Sequence, residues 1–170
     1  MIFLGPQDFP VTGQSYSFHK TFDIYTGKKA KLCYPSKGSK YLFLKTLWFF
    51  IRLFCCSLQN KNHFYLTISR SRFGFYRDFI IFFVSRIFNR RLLIHLHGAD
   101  FKTFFLTSSH MDKYFINYMY QRIEFGIVLL DEMKDQFEDF PNIHCFVLPN
   151  FHLIDISLEQ VRKKAEYFKN

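Results

Sequence analysis

One segment brings together residue types that can do chemistry at the end of a strand: His95-Leu96-His97-Gly98-Ala99-Asp100-Phe101. An apolar strand delivers His97 to its end, Gly98 lets the backbone turn tightly or approach a ligand, and Asp100 can accept hydrogen bonds from a hydroxyl-rich substrate. The plainer alternative is a βα turn in which Asp100 caps the following helix and His97 bonds a neighbouring carbonyl. His95 and His97 share one strand face, as a metal pair would. No Asp, Glu or Cys stands at ligand spacing to complete such a site, so no metal is expected.

Two further loops carry polar chemistry. The first is Gly5-Pro6-Gln7-Asp8-Phe9-Pro10-Val11-Thr12-Gly13-Gln14-Ser15, which reads as strand, glycine-bearing loop and helix start. Backbone N–H groups at such a helix start hold phosphate, although the loop is neither a Walker sequence nor GxGxxG and can equally be a simple connection. The second is Ser69-Arg70-Ser71-Arg72-Phe73-Gly74-Phe75, whose hydroxyls and guanidinium forks suit a phosphate or a sugar. As a solvated loop it would instead cap a helix at Ser71. No Ser-His-Asp arrangement with nucleophile-elbow spacing is present.

These loops need a scaffold, and strand and helix patterns alternate along the chain. Strands are expected at 2–4, 23–26, 63–69, 92–96, 125–130 and 143–148. Helices are expected at 13–22, 40–59, 74–88, 111–122, 131–137 and 159–169, and Gly27-Lys28-Lys29 turns out of the second strand. Within 40–59, Lys45, Arg52 and Gln59 recur at seven-residue intervals and form a narrow polar stripe on a helix that is apolar nearly all round. Six short strands of buried type, separated by helices, predict an α/β fold: a Rossmann-like parallel sheet with helices on both faces. Ligands in such sheets gather at the carboxyl ends of the strands, where all three polar loops fall.

A chain of 170 residues fits one domain. Its 25 Phe and 10 Tyr against one Trp exclude disorder and point to apolar surface that something else covers. The formal net charge of +9 calls for an anionic partner, namely nucleic acid, an acidic membrane surface or a phosphorylated substrate. The charge is scattered and no zinc-finger, RRM or KH pattern accompanies it, so nucleic acid is not the expected partner. Cys33, Cys55, Cys56 and Cys145 show no CxxC spacing and read as reduced thiols of a cytoplasmic protein. The opening run Met1-Ile2-Phe3-Leu4 is too short for a signal peptide, and 41–58 contains Lys45 and Arg52, which makes it a poor membrane span. Peripheral contact with the inner face of a membrane fits both the charge and the 40–59 helix.

Taken in order and spacing, these segments resemble the N-terminal, acceptor-side domain of retaining glycosyltransferases with the GT-B fold, family 4. The resemblance rests on the loop ending Pro10-Val11-Thr12-Gly13-Gln14-Ser15, the pattern Ser71-x-x-Gly74-Phe75-x-Arg77-Asp78, the turn 95–101, Ile127-Val128-Leu129-Leu130 and Val147-Leu148-Pro149-Asn150. It implies glycosyl transfer from a nucleotide-sugar to a saccharide or lipid-linked acceptor in surface polysaccharide or lipopolysaccharide synthesis, with no metal or other cofactor. It places His97 and Asp100 at the reacting sugar and assigns substrate binding to Gly13, Gln14, Ser69, Arg72, Gly98 and Asn150. It makes 1–150 the glycosyltransferase domain and 151–170 a linker helix toward a donor-binding domain that the sequence does not contain. The expectation is therefore a truncated or split enzyme working with a separate donor-domain chain. The alternative is a non-catalytic acceptor-binding subunit without activity alone.

Overall fold

In the computed structural model, which describes residues 1–7, 11–35, 40–59 and 63–150, six parallel strands form one sheet in the order β2-β1-β3-β4-β5-β6. The strands are β1 (Ile2–Gly5), β2 (Ala30–Cys33), β3 (Phe64–Thr67), β4 (Leu92–His95), β5 (Phe125–Val128) and β6 (His144–Val147). The helices are α1 (Gly13–Ile24), α2 (Leu42–Gln59), α3 (Arg72–Ile87), α4 (Phe101–Thr107) and α5 (His110–Tyr120), with a 3₁₀ segment at Asp131–Phe137. This is the Rossmann-like α/β architecture that the alternating pattern predicts.

Side-chain alternation along the strands divides the apolar residues between the two faces. Ile2, Leu4, Phe64, Leu66, Leu92 and Ile94 point to the larger core, where Phe49 and Leu53 of α2, Phe75 and Phe82 of α3, and Ile116 and Tyr120 of α5 meet them. Phe3 and Tyr65 point the other way and pack with Phe18 of α1. Among the described residues α1 is the only helix on that face. Beyond its reach, Leu93, Phe125, Ile127 and Phe146 line an apolar hollow of about 340 Å³.

Local signals explain where the helices begin and end. Thr12 and Ser15 form a reciprocal capping box at the start of α1: the Ser15 N–H donates to Thr12 Oγ1 at 3.1 Å and the Thr12 N–H donates to Ser15 Oγ at 2.8 Å. At the end of α3, Asn89 adopts φ 52° while its N–H bonds Arg86 O and the Arg90 N–H bonds Ser85 O. That pairing is a Schellman stop, with Asn in the left-handed position usually taken by Gly.

Two expectations require correction. The segment 23–26 is not the second strand, because α1 continues through Ile24 and β2 lies later, at Ala30–Cys33. Phe22 and Tyr25 are held at the end of α1 by ring contacts with Phe3, at 5.3 and 5.5 Å between centroids, and this packing overrides the strand-like composition. Helix α4 was not expected at all. Its residues are mostly aromatic and β-branched, yet the fully buried Phe101 ring fixes it against Tyr120 and Phe137. The helix expected at 159–169, the linker 151–170 and residues 8–10 of the first loop lie outside the described residues.

Leu66 sits on the central strand β3 with 0% exposure, whereas Leu44 on α2 is 59% exposed. Leu66→Ala should cost about 2–5 kcal/mol in urea unfolding, and Leu44→Ala less than about 0.5 kcal/mol. Equal losses at the two positions would contradict this arrangement of the core.

Candidate functional site

The strand order reverses between β1 and β3. The chain leaving β1 goes to α1 on one face, while the chain leaving β3 goes to α3 on the other. Loops that part in this way open a crevice at the carboxyl ends of the strands. The crevice here is a cavity of about 280 Å³ lined by Pro6, Gln14, Tyr34, Ile68, Ser69, Arg70, Ser71, Arg77 and Asp100. One wall is the start of α1. The capping box occupies the Thr12 and Ser15 amides and leaves those of Gly13 and Gln14, which have no intrahelical acceptor. A Cβ placed on Gly13 would meet nothing within 4 Å, so the space in front of this turn is open.

The opposite wall is held by a charge pair whose carboxylate is buried. Asp78, 1% exposed, accepts from the Ser69 N–H at 2.6 Å through one oxygen and from Arg77 Nε and Nη2 at 2.9 and 2.7 Å through the other. The Arg77 guanidinium lies 3.5 Å from the centre of the Tyr34 ring. The Tyr34 hydroxyl in turn lies 3.1 Å from both the Leu4 and Thr67 carbonyl oxygens, at the ends of β1 and β3. Burial pushes the Asp78 pKa up, while Arg77 and the Ser69 amide pull it down. These contacts fix Ser69, and with it the Arg70 turn, at the mouth of the cavity.

Arg70 reaches across the mouth from β3 to β4. Its Nη1 hydrogen-bonds and ion-pairs with Asp100 Oδ1, and it lies so close over Gly98 that a Cβ there would overlap the guanidinium. Asp100 occupies the N-cap position of α4, but its side chain makes no capping bond and serves Arg70 instead. Behind Gly98, His97 stacks on His95 with ring centroids 3.9 Å apart and planes inclined by 35°. The Tyr65 hydroxyl hydrogen-bonds His95 Nδ1. His95 Nε2 and both ring nitrogens of His97 are buried without a partner. Burial, reinforced by the neighbouring His97, pushes the His95 pKa down to about 2. Burial, reinforced by the Arg70 charge, pushes that of His97 down to about 4. Both imidazoles are neutral at pH 7. His97 therefore offers one donor and one acceptor with nothing to satisfy them, in an interior where such groups are nearly always paired.

Of the residues singled out from the sequence, Gln14, Ser69 and Asp100 line the cavity itself. Gly98 and His97 stand directly behind Arg70, and Gly13 opens the helix that forms one wall. Arg72 and Asn150 are not brought to the cavity. The Arg72 Nε pairs with Asp112 Oδ2 at 3.0 Å, and Asn150 is exposed beyond the edge strand β6. Among the described residues no three of His, Cys, Asp and Glu stand close enough to hold a metal ion. No protein-family model, curated protein or solved structure matches the chain.

Sequence reasoning offered the Arg70 guanidinium only as part of its polar loop, and it gave Arg77, Asp78 and Tyr34 no site role. Arg77-Asp78 carried a usable signal, since adjacent opposite charges inside the apolar run 73–84 must either face solvent or pair with each other. Tyr34 carried none, because its role depends on β2 lying beside β1.

Two outcomes follow from these contacts. Asp78→Ala strands the Arg77 charge and should cost about 3–5 kcal/mol in chemical unfolding. The double change Arg77→Met with Asp78→Leu should cost clearly less, and a double variant as unstable as the single would show that the pair does not act as a unit. The second outcome concerns pH. Unfolded histidines take up protons near pH 6.5, whereas His97 in the fold resists protonation down to about 4 and His95 down to about 2. The unfolded chain thus binds more protons below about pH 6.5, and stability should fall as pH drops from there. His97→Gln should flatten that fall between about pH 6.5 and 5, above the range where carboxylates dominate. Parallel profiles for wild type and variant would mean that His97 is not buried in its neutral form.

Proposed function

We propose that the crevice at the ends of β1, β3 and β4 binds a phosphorylated, hydroxyl-rich ligand, and that the chain provides the acceptor-side half of a glycosyltransferase using a nucleotide-sugar donor. The observation that carries this reading is His97, neutral, with both ring nitrogens buried and unpartnered, beside an Arg70–Asp100 pair at the reversal of strand order. The Gly13 and Gln14 amides at the α1 terminus suit a phosphate. Arg70 offers a guanidinium fork to the same group, and Asp100 accepts from sugar hydroxyls. His97 is too weak a base to hold a proton at rest. Its first role is to hydrogen-bond and orient a hydroxyl, and a phosphate bound nearby would draw its pKa back up. In the transfer, the acceptor oxygen bonds the anomeric carbon as the bond to the nucleoside diphosphate breaks; the electron pair leaves on the phosphate oxygen, which also takes up the proton lost by the acceptor hydroxyl. The resemblance noted above supplies the reaction class. A saccharide or lipid-linked acceptor of surface polysaccharide synthesis fits that class, as does a separate donor-domain chain as partner.

The test is calorimetric titration of the full chain with nucleotide-sugars, sugar phosphates and inorganic phosphate. Binding of a nucleotide-sugar or sugar phosphate is expected, with Arg70→Ala and His97→Ala each weakening it by about tenfold or more while the unfolding midpoint changes little. Binding that both variants leave intact would remove this crevice from consideration, and absence of binding to every such ligand would remove the reading itself.

A further inference from the structure

Helix α2 meets the sheet along only a narrow face, where Phe49 and Leu53 are buried beside the buried Ser57. The side turned away from the core carries Leu44, Leu47, Trp48, Ile51, Phe54 and Leu58, all exposed, with Trp48 and Leu58 each 61% accessible. A monomer in water normally turns polar residues outward on such a helix, so a continuous apolar arc along about 21 Å of helix calls for a partner. The arc continues onto α3, where Ile87 is 69% exposed and Phe88 packs edge-on against Phe54 at 5.2 Å.

Charge decides what that partner is. Helix α2 contains no acidic residue, and Lys45 and Arg52 run along one border of its apolar arc. At the end of α3, next to the last turn of α2, lies a cavity of about 240 Å³ to which Arg86, Arg90, Arg91 and Arg122 all contribute, against the single carboxylate of Glu124. Arg90 joins the two features, since its Nη2 reaches the Ser57 carbonyl of α2 at 3.4 Å while its Nε is buried without a partner. An apolar arc rimmed by cations matches an anionic bilayer surface, with side chains in the acyl boundary and guanidiniums at the headgroups. A second copy of this chain matches it poorly, because each copy carries a formal charge of +9 and would bring cationic rims together. Among the described residues no helix is long and apolar enough to cross a membrane, so α2 would lie along the surface.

We infer that α2 and the arginine cluster at its end form a docking face for an anionic lipid bilayer. The inference is independent of the ligand assigned to the crevice, which opens at the carboxyl ends of the strands. The arginine cluster lies at their amino ends, beside Leu92 and Phe125.

Trp48 is the sole tryptophan, so its fluorescence reports from the docking face. The full chain is mixed with vesicles of phosphatidylcholine alone or of phosphatidylcholine with phosphatidylglycerol, and binding is followed by co-sedimentation and Trp48 emission. Binding is expected only with phosphatidylglycerol present, accompanied by a blue shift and by quenching from lipids brominated in the upper acyl chain. Leu47→Ser with Ile51→Ser should weaken binding about tenfold or more, and Arg86→Glu with Arg91→Glu should do likewise, both at unchanged circular dichroism. Phosphate-bearing soluble ligands should leave Trp48 emission unchanged. The inference is overturned if the chain does not sediment with anionic vesicles, or if it binds them without a change at Trp48. It is equally overturned if Trp48 becomes shielded by self-association in the absence of lipid.

Discussion

Asp78 is a carboxylate with almost no exposure, set in a helix that is otherwise largely aromatic and aliphatic, and its two oxygens are divided between Arg77 and the Ser69 amide. Burying a charge of this kind is costly unless every lone pair finds a donor. The resulting geometry ties the second turn of α3 to the loop before it. Arg77 then lies on the Tyr34 ring, and Tyr34 joins the ends of β1 and β3 through two carbonyl oxygens. Three strands and one helix thus converge on a single ion pair. The Arg70 turn, the placement of Gly98 under its guanidinium and the mouth of the crevice all inherit their position from it.

Two kinds of polar group stand at and behind the mouth of the crevice. Arg70 and Asp100 sit at the mouth in contact with water, where their pairing can be exchanged for a ligand at modest cost. His97 lies deeper and has no such alternative, because its ring nitrogens are shielded from water as well as from protein partners. A ligand that satisfied them would recover a hydrogen-bonding deficit already present in the empty fold. Affinity and orientation would then come from the same contact.

Much of this was legible in the sequence. The strands β1, β3, β4 and β5 announce themselves as short apolar runs ended by turn residues, because a parallel sheet packed on by helices demands hydrophobic side chains on its faces, and the more exposed edge strand β6 reads as apolar as well. Strand β2 was displaced because it is an edge strand bearing Lys31, whose ammonium reaches His19 Nδ1 at 3.0 Å and lies over the Phe22 ring. A lysine in a four-residue strand erases the apolar signal. The position of His97 at a strand end was readable for the same reason that β4 was. The partners around it were not, since Arg70–Asp100 and Tyr65–His95 each join residues 30 apart in sequence through the lateral pairing of β3 with β4. Spacing along the chain encodes local turns well and carries almost no information about which strands become neighbours.

The strand order also governs how the chain comes to be folded. Strand β1 precedes the other strands along the chain, yet it ends up inside the sheet, with Ile2 paired to Ala30 on one side and to Phe64 on the other. The second pairing joins residues 62 apart (64 − 2), so one flank of β1 stays open until α1, β2, α2 and most of β3 have been made. Contacts of such separation must meet the entropy of closing a long loop before they are stabilised, which slows folding. During that interval the apolar β1 has an unfilled edge, which is open to wrong pairing with another chain.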